Sequence, residues 1–406
     1  MASCMSTQEI YSKLQKKLTD ELSDMRDVSD EELFAMIDEK IERQEEESFM
    51  PVSRKLKIRS RLFDSFRRLD ILQELIDRDD VTEIMVNGSS EIFIEQSGRI
   101  VKWDKCFESD DQLEDMIQQI VAKVNRQVNI SSPIVDARLL DGSRVHVVLP
   151  PVSLSGPVIT IRKFPEIIRM KRMIAGGTIN SEAAAFLKRL VRAGYNIFIS
   201  GGTNSGKTTF LNALSAYIPE DERVITIEDS AELQLQQIKN LVRLEARNAN
   251  AQGEGAISIA DLIKASLRMN PDRIIVGEVR DAAALDMLQA MQTGHDGSLS
   301  TGHGNSCEDM LRRIETMVLS GAELPLQAVR GQIAGAIDIL IHLGRLKDKS
   351  RHVLDISEIE GYENGEIKLN PIYKFEYRER GGELKKVGSL KRRSKLIASG
   401  DGLQGL

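Results

Sequence analysis

Cysteine is scarce in this chain of 406 residues, with only Cys4, Cys106 and Cys307. Their odd number and wide spacing argue against a disulfide framework and match no paired zinc-ligand pattern, which fits a reducing cytoplasm. Missing too is any uncharged apolar run near the ~18 residues that would cross a bilayer as a helix. The opening MASCMSTQEIYSKLQKK has no apolar stretch, so no secretion signal is expected and any work at a membrane requires recruitment by a partner. There is no basic surplus either. The net charge is −7, which argues against a general nucleic-acid binder. What is present, 41% hydrophobic and 29% charged residues, is the composition of a folded soluble protein, long enough for two or three domains.

The organisation changes along the chain. Ile10, Leu14, Leu18 and Leu22 recur every four residues and share one helical face. Ser29 and Glu32 form a capping-box pattern ahead of Leu33, Met36, Ile37 and Ile41, and Pro51 precedes a third amphipathic run through Ile58, Leu62, Phe66 and Leu69. Residues 1–80 therefore read as a helical bundle. From Val81, TEIMVNG, EIFIEQ and RIVKW are strand-like, with a turn at Ser97-Gly98. A helix over Asp111–Asn129 follows, then RLLDGSRVHVVLPP, turning at Asp141-Gly142, and VITIRKF. This makes 81–165 an α+β domain and 166–178 a linker. Beyond it YNIFIS, RVITIED, NLVRLEA, RIIVGE and GSLSTGH alternate with helical stretches, the pattern of a mainly parallel sheet covered by helices. DILIHLGRL, HVLDISEIEG and IYKFEYRER extend the strands, and the basic KKVGSLKRRSK reads as a solvated tail.

The chemistry concentrates in residues 179–406. Gly201, Gly202, Thr203, Asn204, Ser205, Gly206, Lys207 and Thr208 satisfy G-x-x-x-x-G-K-[ST] between a strand and a helix, the setting this phosphate-binding loop needs. Gly201 and Gly206 permit the tight turn that aims backbone N–H groups at phosphate oxygens, and the helix beginning near Thr209 adds its positive end. Lys207 then reaches the β/γ-phosphates and the Thr208 hydroxyl ligates Mg2+. RIIVGEVR carries Glu278 at its strand end, preceded by Gly277 where an Asp is usual, so Glu278 is expected to orient or activate water rather than to hold metal directly. RVITIED ends in Glu228 and Asp229, candidates for water or metal beyond the strand ends; the competing role for Asp229 is a helix N-cap. His295 and His303 lie in TGHDGSLSTGHG, whose spacing matches no zinc signature.

GGTNSGKTT, VITIEDSAEL and LRMNPDRIIVGEVRDAAALDMLQAMQTGHDGSLSTGHGNS occur in that order. Together they resemble the type II/type IV secretion ATPase superfamily, most of all its CpaF/TadA branch, which powers tight-adherence pili. The resemblance implies an α/β fold, with a RecA-like P-loop ATPase domain preceded by a smaller α+β domain and an N-terminal helical bundle. It implies ATP and Mg2+ as cofactors, a homo-hexameric ring, and an inner-membrane platform protein as partner, with the chain cytoplasmic and recruited to the membrane's inner face. No stable nucleic-acid partner is expected. Lys207 and Thr208 match the family's Walker A, Glu228 and Asp229 its Asp box, Glu278 its Walker B glutamate, and His295 and His303 its His box. In the family, basic residues of the amino-terminal domain complete the nucleotide site near a neighbouring subunit. Arg138, Arg144 and Arg162 stand in the matching region, although nearby acids such as Asp136 and Asp141 are alternative partners. The four-cysteine metal module of some relatives is missing. Two other readings stay open, a RecA-like nucleic-acid translocase and a nucleotide-gated scaffold without turnover.

Overall fold

The computed structural model describes residues 7–22, 28–47, 49–96, 98–124, 126–139, 141–164, 168–247, 255–378 and 381–400. The chain divides into two compact units, Met1–Glu166 and Ile167–Leu406. Cys4, Ser97 of the expected turn, and residues 165–167, where a linker was expected to begin, lie outside the described residues.

The first unit holds two apolar cores. One is made by helices Thr7–Leu22, Asp30–Glu47 and Val52–Arg67, whose periodic residues Ile10, Leu14, Leu18, Leu33, Ile37 and Leu62 are buried together. Ser29 and Glu32 form the reciprocal cap: the Glu32 carboxylate accepts from Ser29 N at 2.8 Å, and Ser29 Oγ accepts from Glu32 N at 3.2 Å. The other core lies under a six-stranded sheet. Its strands are β1 (Val81–Asn87), β2 (Glu91–Gln96), β3 (Arg99–Lys102), β4 (Ile134–Arg138), β5 (Arg144–Val148) and β6 (Val158–Arg162). The order is β3-β2-β1-β6-β5-β4, and every pair is antiparallel. The covering helix runs Asp110–Lys123, with Ser109 as its N-cap. It ends before the expected Asn129, and the next residues make an isolated bridge between Asn129 and Ser132.

The second unit is built on a nine-stranded sheet. Its members are β7 (Ile197–Gly201), β8 (Arg223–Glu228), β9 (Asn240–Glu245), β10 (Arg273–Val276), β11 (Leu299–His303), β12 (Ile339–Arg345), β13 (Arg351–Glu363), β14 (Glu366–Tyr377) and β15 (Gly382–Lys386). The order is β15-β14-β13-β12-β7-β11-β10-β8-β9. Pairs from β12 to β9 are parallel; those from β12 out to β15 are antiparallel. Apolar clusters on both faces bury the central strands, as their near-continuous Val/Ile/Phe runs require. The strand order reverses around β7, so a crevice opens beyond the carboxyl ends of the central strands.

The basic C-terminal segment is docked rather than solvated. Glu358, 1% exposed, accepts from the backbone N–H groups of Lys391 and Arg392 at 2.9 and 2.6 Å. Lys395 bonds Gly194 O, Asp296 and Asp338. Buried acids beneath this stretch turn its positive charge inward, a pairing that a count of basic residues cannot reveal.

Candidate nucleotide site

The loop between β7 and helix Lys207–Ser215 is shaped by two glycines. A Cβ on Gly201 would stand 2.4 Å from Ser205 Oγ and 2.7 Å from Leu343 O, so no side chain fits. Gly206 has φ +93 and forms the left-handed N-cap of the helix. Asn204 is also left-handed, and its carbonyl accepts from Arg351 Nε at 2.9 Å. Gly202 and Thr203 are exposed, Ser205 is buried, and Thr208 and Thr209 are half-buried in the first helical turn. The opening turn of a helix has backbone N–H groups without intrahelical acceptors, which favours an anion there.

Three more strand ends meet this loop. Register places His303 of β11 opposite Gly201, while Glu278 follows β10 and Glu228 closes β8. Lys207 Nζ donates to Gly202 O at 3.1 Å and to His303 Nδ1 at 3.3 Å. That assigns the proton of a neutral His303 ring to Nε2, which lies 3.0 Å from Glu278 Oε1. Glu278 Oε1 nevertheless has no donor in hydrogen-bonding geometry. Its Oε2 accepts from Arg280 Nη2 at 3.0 Å, and Arg280 Nη1 lies 3.4 Å from Asp229.

The two glutamates have opposite electrostatics. Burial alone would raise Glu278, but the Arg280 hydrogen bond and the charges of His303, Arg280 and Lys207 hold it below its ordinary value. Glu228, 3% exposed, is pushed up to about 7 by burial, against the lowering effect of the Glu232 and Leu233 N–H groups. Those donors reach Glu228 Oε2 at 2.7 and 3.0 Å, and Oε1 has none. Burial also lowers Lys207, and burial together with the nearby Lys207 charge lowers His303. Two carboxyls driven apart in this way are suited to different tasks. A Cβ on Gly277 would stand 2.9 Å from Glu228 Cγ. This explains the missing Asp before Glu278: position 277 has no room for a side chain.

His295 lies apart from the other expected residues. Its Nδ1 lies 3.1 Å from Ala290 O and 3.4 Å from Thr293 Oγ1, at the end of helix Ala283–Gln292. This is the amino edge of the sheet, with the length of β11 between it and His303, on the order of 15–20 Å at ~3.3 Å per residue. Within one chain it does not join Lys207. Arg138, Arg144 and Arg162 belong to the first unit, where register sets Arg138 opposite Arg144 and Arg144 opposite Arg162. They form one row on one face of the sheet; the intervening residues Val145, Val147, Ile159 and Ile161 are buried on the other.

Sequence reasoning missed Arg280, whose signal was its position two residues after Glu278, and Arg351, which carries no local signal. A cleft of about 280 Å3 is lined by Thr203, Glu278, Arg280, His303 and Arg313, with Val279 and Met317 as its apolar wall. A glycine-shaped loop opening a helix, the adjacent lysine, and a cleft lined by an ionised glutamate and arginines can bind a polyphosphate and direct a water at it.

A family model described as Type II/IV secretion system protein matches residues 67–396. The conjugal transfer protein TrbB of Rhizobium radiobacter is 34% identical over 300 residues, covering 73% of this chain and 88% of that protein. The type IV secretion system protein PtlH of Bordetella pertussis is 32% identical over 315 residues, covering 71% and 93%. The crystal structure of the pilus retraction motor PilT with bound ADP superposes with a TM-score of 0.54 at 22% identity, over 81% of this chain and 86% of that one. It shares the α/β fold.

Proposed function

This chain belongs to the Type II/IV secretion system protein family, and we propose that it is a Mg2+-dependent ATPase of the CpaF/TadA branch, working as a hexameric ring. One observation carries the reading. Lys207, His303, Glu278, Arg280 and Asp229 form a continuous run at the strand ends, each within 3.4 Å of the next. Arriving phosphates draw Lys207 away from Gly202 O and His303, and the first turn of its helix takes their remaining charge. Glu278, ionised and with one oxygen lacking a donor, orients the attacking water and accepts its proton. His303, beside Lys207, is placed to change partner when the γ-phosphate leaves.

Bound Mg2+ would neutralise phosphate charge during transfer. The Thr208 hydroxyl would hold it, with Asp229 acting through water. Among the described residues no three His, Cys, Asp or Glu side chains form a metal cage, and Mg2+ commonly relies on few protein ligands, phosphates and retained waters. The row Arg138–Arg144–Arg162 supports a shared site. Arginine's planar, always-charged fork suits the phosphates of a nucleotide held by a neighbouring subunit.

The names of TrbB and PtlH tie those proteins to conjugal transfer and type IV secretion. For this chain the proposed partner is an inner-membrane platform protein, which brings the ring to the membrane's inner face. Among the described residues no helix is long and apolar enough to cross a bilayer. The test is phosphate release from ATP with Mg2+. Wild-type turnover is expected, with Lys207→Ala folded, weakly binding and inactive. Wild-type turnover in that variant would remove the reading.

A further inference from the structure

Ser200 is the last residue before Gly201, and it is completely buried. Its Oγ lies 3.1 Å from Nδ1 of His342 and donates weakly to Ser306 O at 3.4 Å. Strand register sets this row: His342 is opposite Ser200 across β7 and β12, and opposite Asp355 across β12 and β13. Asp355, 5% exposed, accepts from Ser357 Oγ at 2.6 Å and pairs with Lys374. The buried Cys307 thiol, raised by burial and by the Asp355 charge, sits against the same carboxylate. Cys307 opens the helix that follows His303, and Ser306 is that helix's N-cap. A polar row thus runs from Lys374 and Asp355 on the outer antiparallel strands, through His342, to the two segments that carry the nucleotide groups.

Apolar residues occupy the same face two positions earlier on these strands. Phe198 and Leu340 are fully buried in the core there. Polar and charged groups in such a place cost stability relative to apolar ones of similar size, and specifying a geometry is the best-attested reason to retain them. The geometry at stake is visible at Gly304, where an added Cβ would stand 2.9 Å from Ser200 Oγ. The hydroxyl packs directly on the backbone of the turn after His303.

We propose that His342 is a positioning residue. By donating from Nδ1 to Ser200 Oγ, whose own proton goes to Ser306 O, it fixes the end of β7 and the turn after His303, so that Lys207 and His303 meet the nucleotide in one arrangement. Asp355 and Lys374 anchor the row from the outer strands. The effect on turnover rests on the ATPase reading; the effect on the order of the loop does not.

The experiment compares the full chain with its His342→Leu, His342→Asn and Ser200→Ala variants, by amide hydrogen exchange and by ATPase kinetics. His342→Leu and Ser200→Ala are expected to speed exchange of residues 202–206 and 303–306 about tenfold, a local opening rather than a global one. His342→Leu should lower kcat about tenfold with KM nearly unchanged, the mark of a contact that matters in the transition state. It should melt no lower than wild type, since it replaces a buried polar group by an apolar one. His342→Asn, whose side-chain NH2 takes the place of the Nδ1–H donor, should restore both loop order and kcat. Unchanged exchange at both segments in His342→Leu and Ser200→Ala overturns the proposal. So does faster exchange across the whole sheet in every His342 variant, which would mark a merely structural residue. A wild-type chain that releases no phosphate refutes the ATPase reading instead, and the exchange comparison still decides the role of His342.

Discussion

Replacing Glu228 by Gln removes a charge that the fold makes costly to form. The side chain is 3% exposed, and burial raises its carboxyl from an ordinary 4.5 to about 7. At 1.36 kcal/mol per pKa unit the difference corresponds to about 3 kcal/mol. The folded value is the higher one, so the native state keeps this proton after the unfolded chain has lost it. The associated stability is fully present below about pH 4.5, declines as pH rises through about 7, and is gone above. Glu228→Gln cannot titrate, yet its side-chain oxygen can still accept from the Glu232 and Leu233 N–H groups. The stability of wild type relative to the variant should therefore fall by about 3 kcal/mol between pH 4.5 and 8.5. Urea unfolding of both proteins across that range measures it, and other ionisations cancel in the difference. A difference that stays constant with pH would show that the two backbone donors, not burial, govern this carboxyl.

Glu278→Gln keeps the shape of the side chain without its charge; ATP should still bind, with hydrolysis at least ~100-fold slower. Loss of binding in that variant would assign Glu278 a metal or structural role. Gly277→Ala places a methyl 2.9 Å from Glu228 Cγ; it should cost about 1–3 kcal/mol, and an unchanged urea midpoint would contradict the packing argument. Lys207→Ala and Arg144→Ala chains should each be inactive alone and regain partial activity in mixed rings, where an intact loop meets an intact arginine on its neighbour. No recovery in rings shown to be mixed, with Arg138, Arg144 or Arg162 replaced in turn, would mean that one chain completes the site.

Much of the second unit's sheet was legible because its central strands are buried on both faces. IFIS, VITIE and RIIV are nearly unbroken apolar runs bounded by turn residues, and each is a strand. The antiparallel extension was legible as strands but not as pairing, since DILIHLGRL and HVLDISEIEG carry no mark of direction. β15 was missed: GELKK has one buried residue, Leu384, and otherwise reads as exposed charge. The docked C-terminal segment was misread for a related reason. Its lysines and arginines answer acids such as Asp338, Asp296 and Glu358, up to about a hundred residues back in sequence.

At the site, the legible groups are those whose chemistry is local. The loop announces itself because glycine spacing, lysine and helix start must be contiguous, and Glu278 because it follows a buried apolar strand. The histidines show the limit of such reading. His295 and His303 share one glycine-rich stretch, yet β11 lies between them, so the fold sends one to each edge of the sheet. Arg280 shows the converse. Its meaning depends on Asp229, which is distant in sequence and adjacent only because β8 and β10 pair in parallel. Gly277 joins the two cases. From sequence it marks the loss of an expected Asp; in the fold it is the space into which Glu228 packs. The missing carboxylate before Glu278 and the buried carboxylate at Glu228 are thus one substitution seen from two strands. An Asp at 277 would have to displace Glu228, so the pair predicts that any side chain introduced at 277 is tolerated only with a smaller residue at 228.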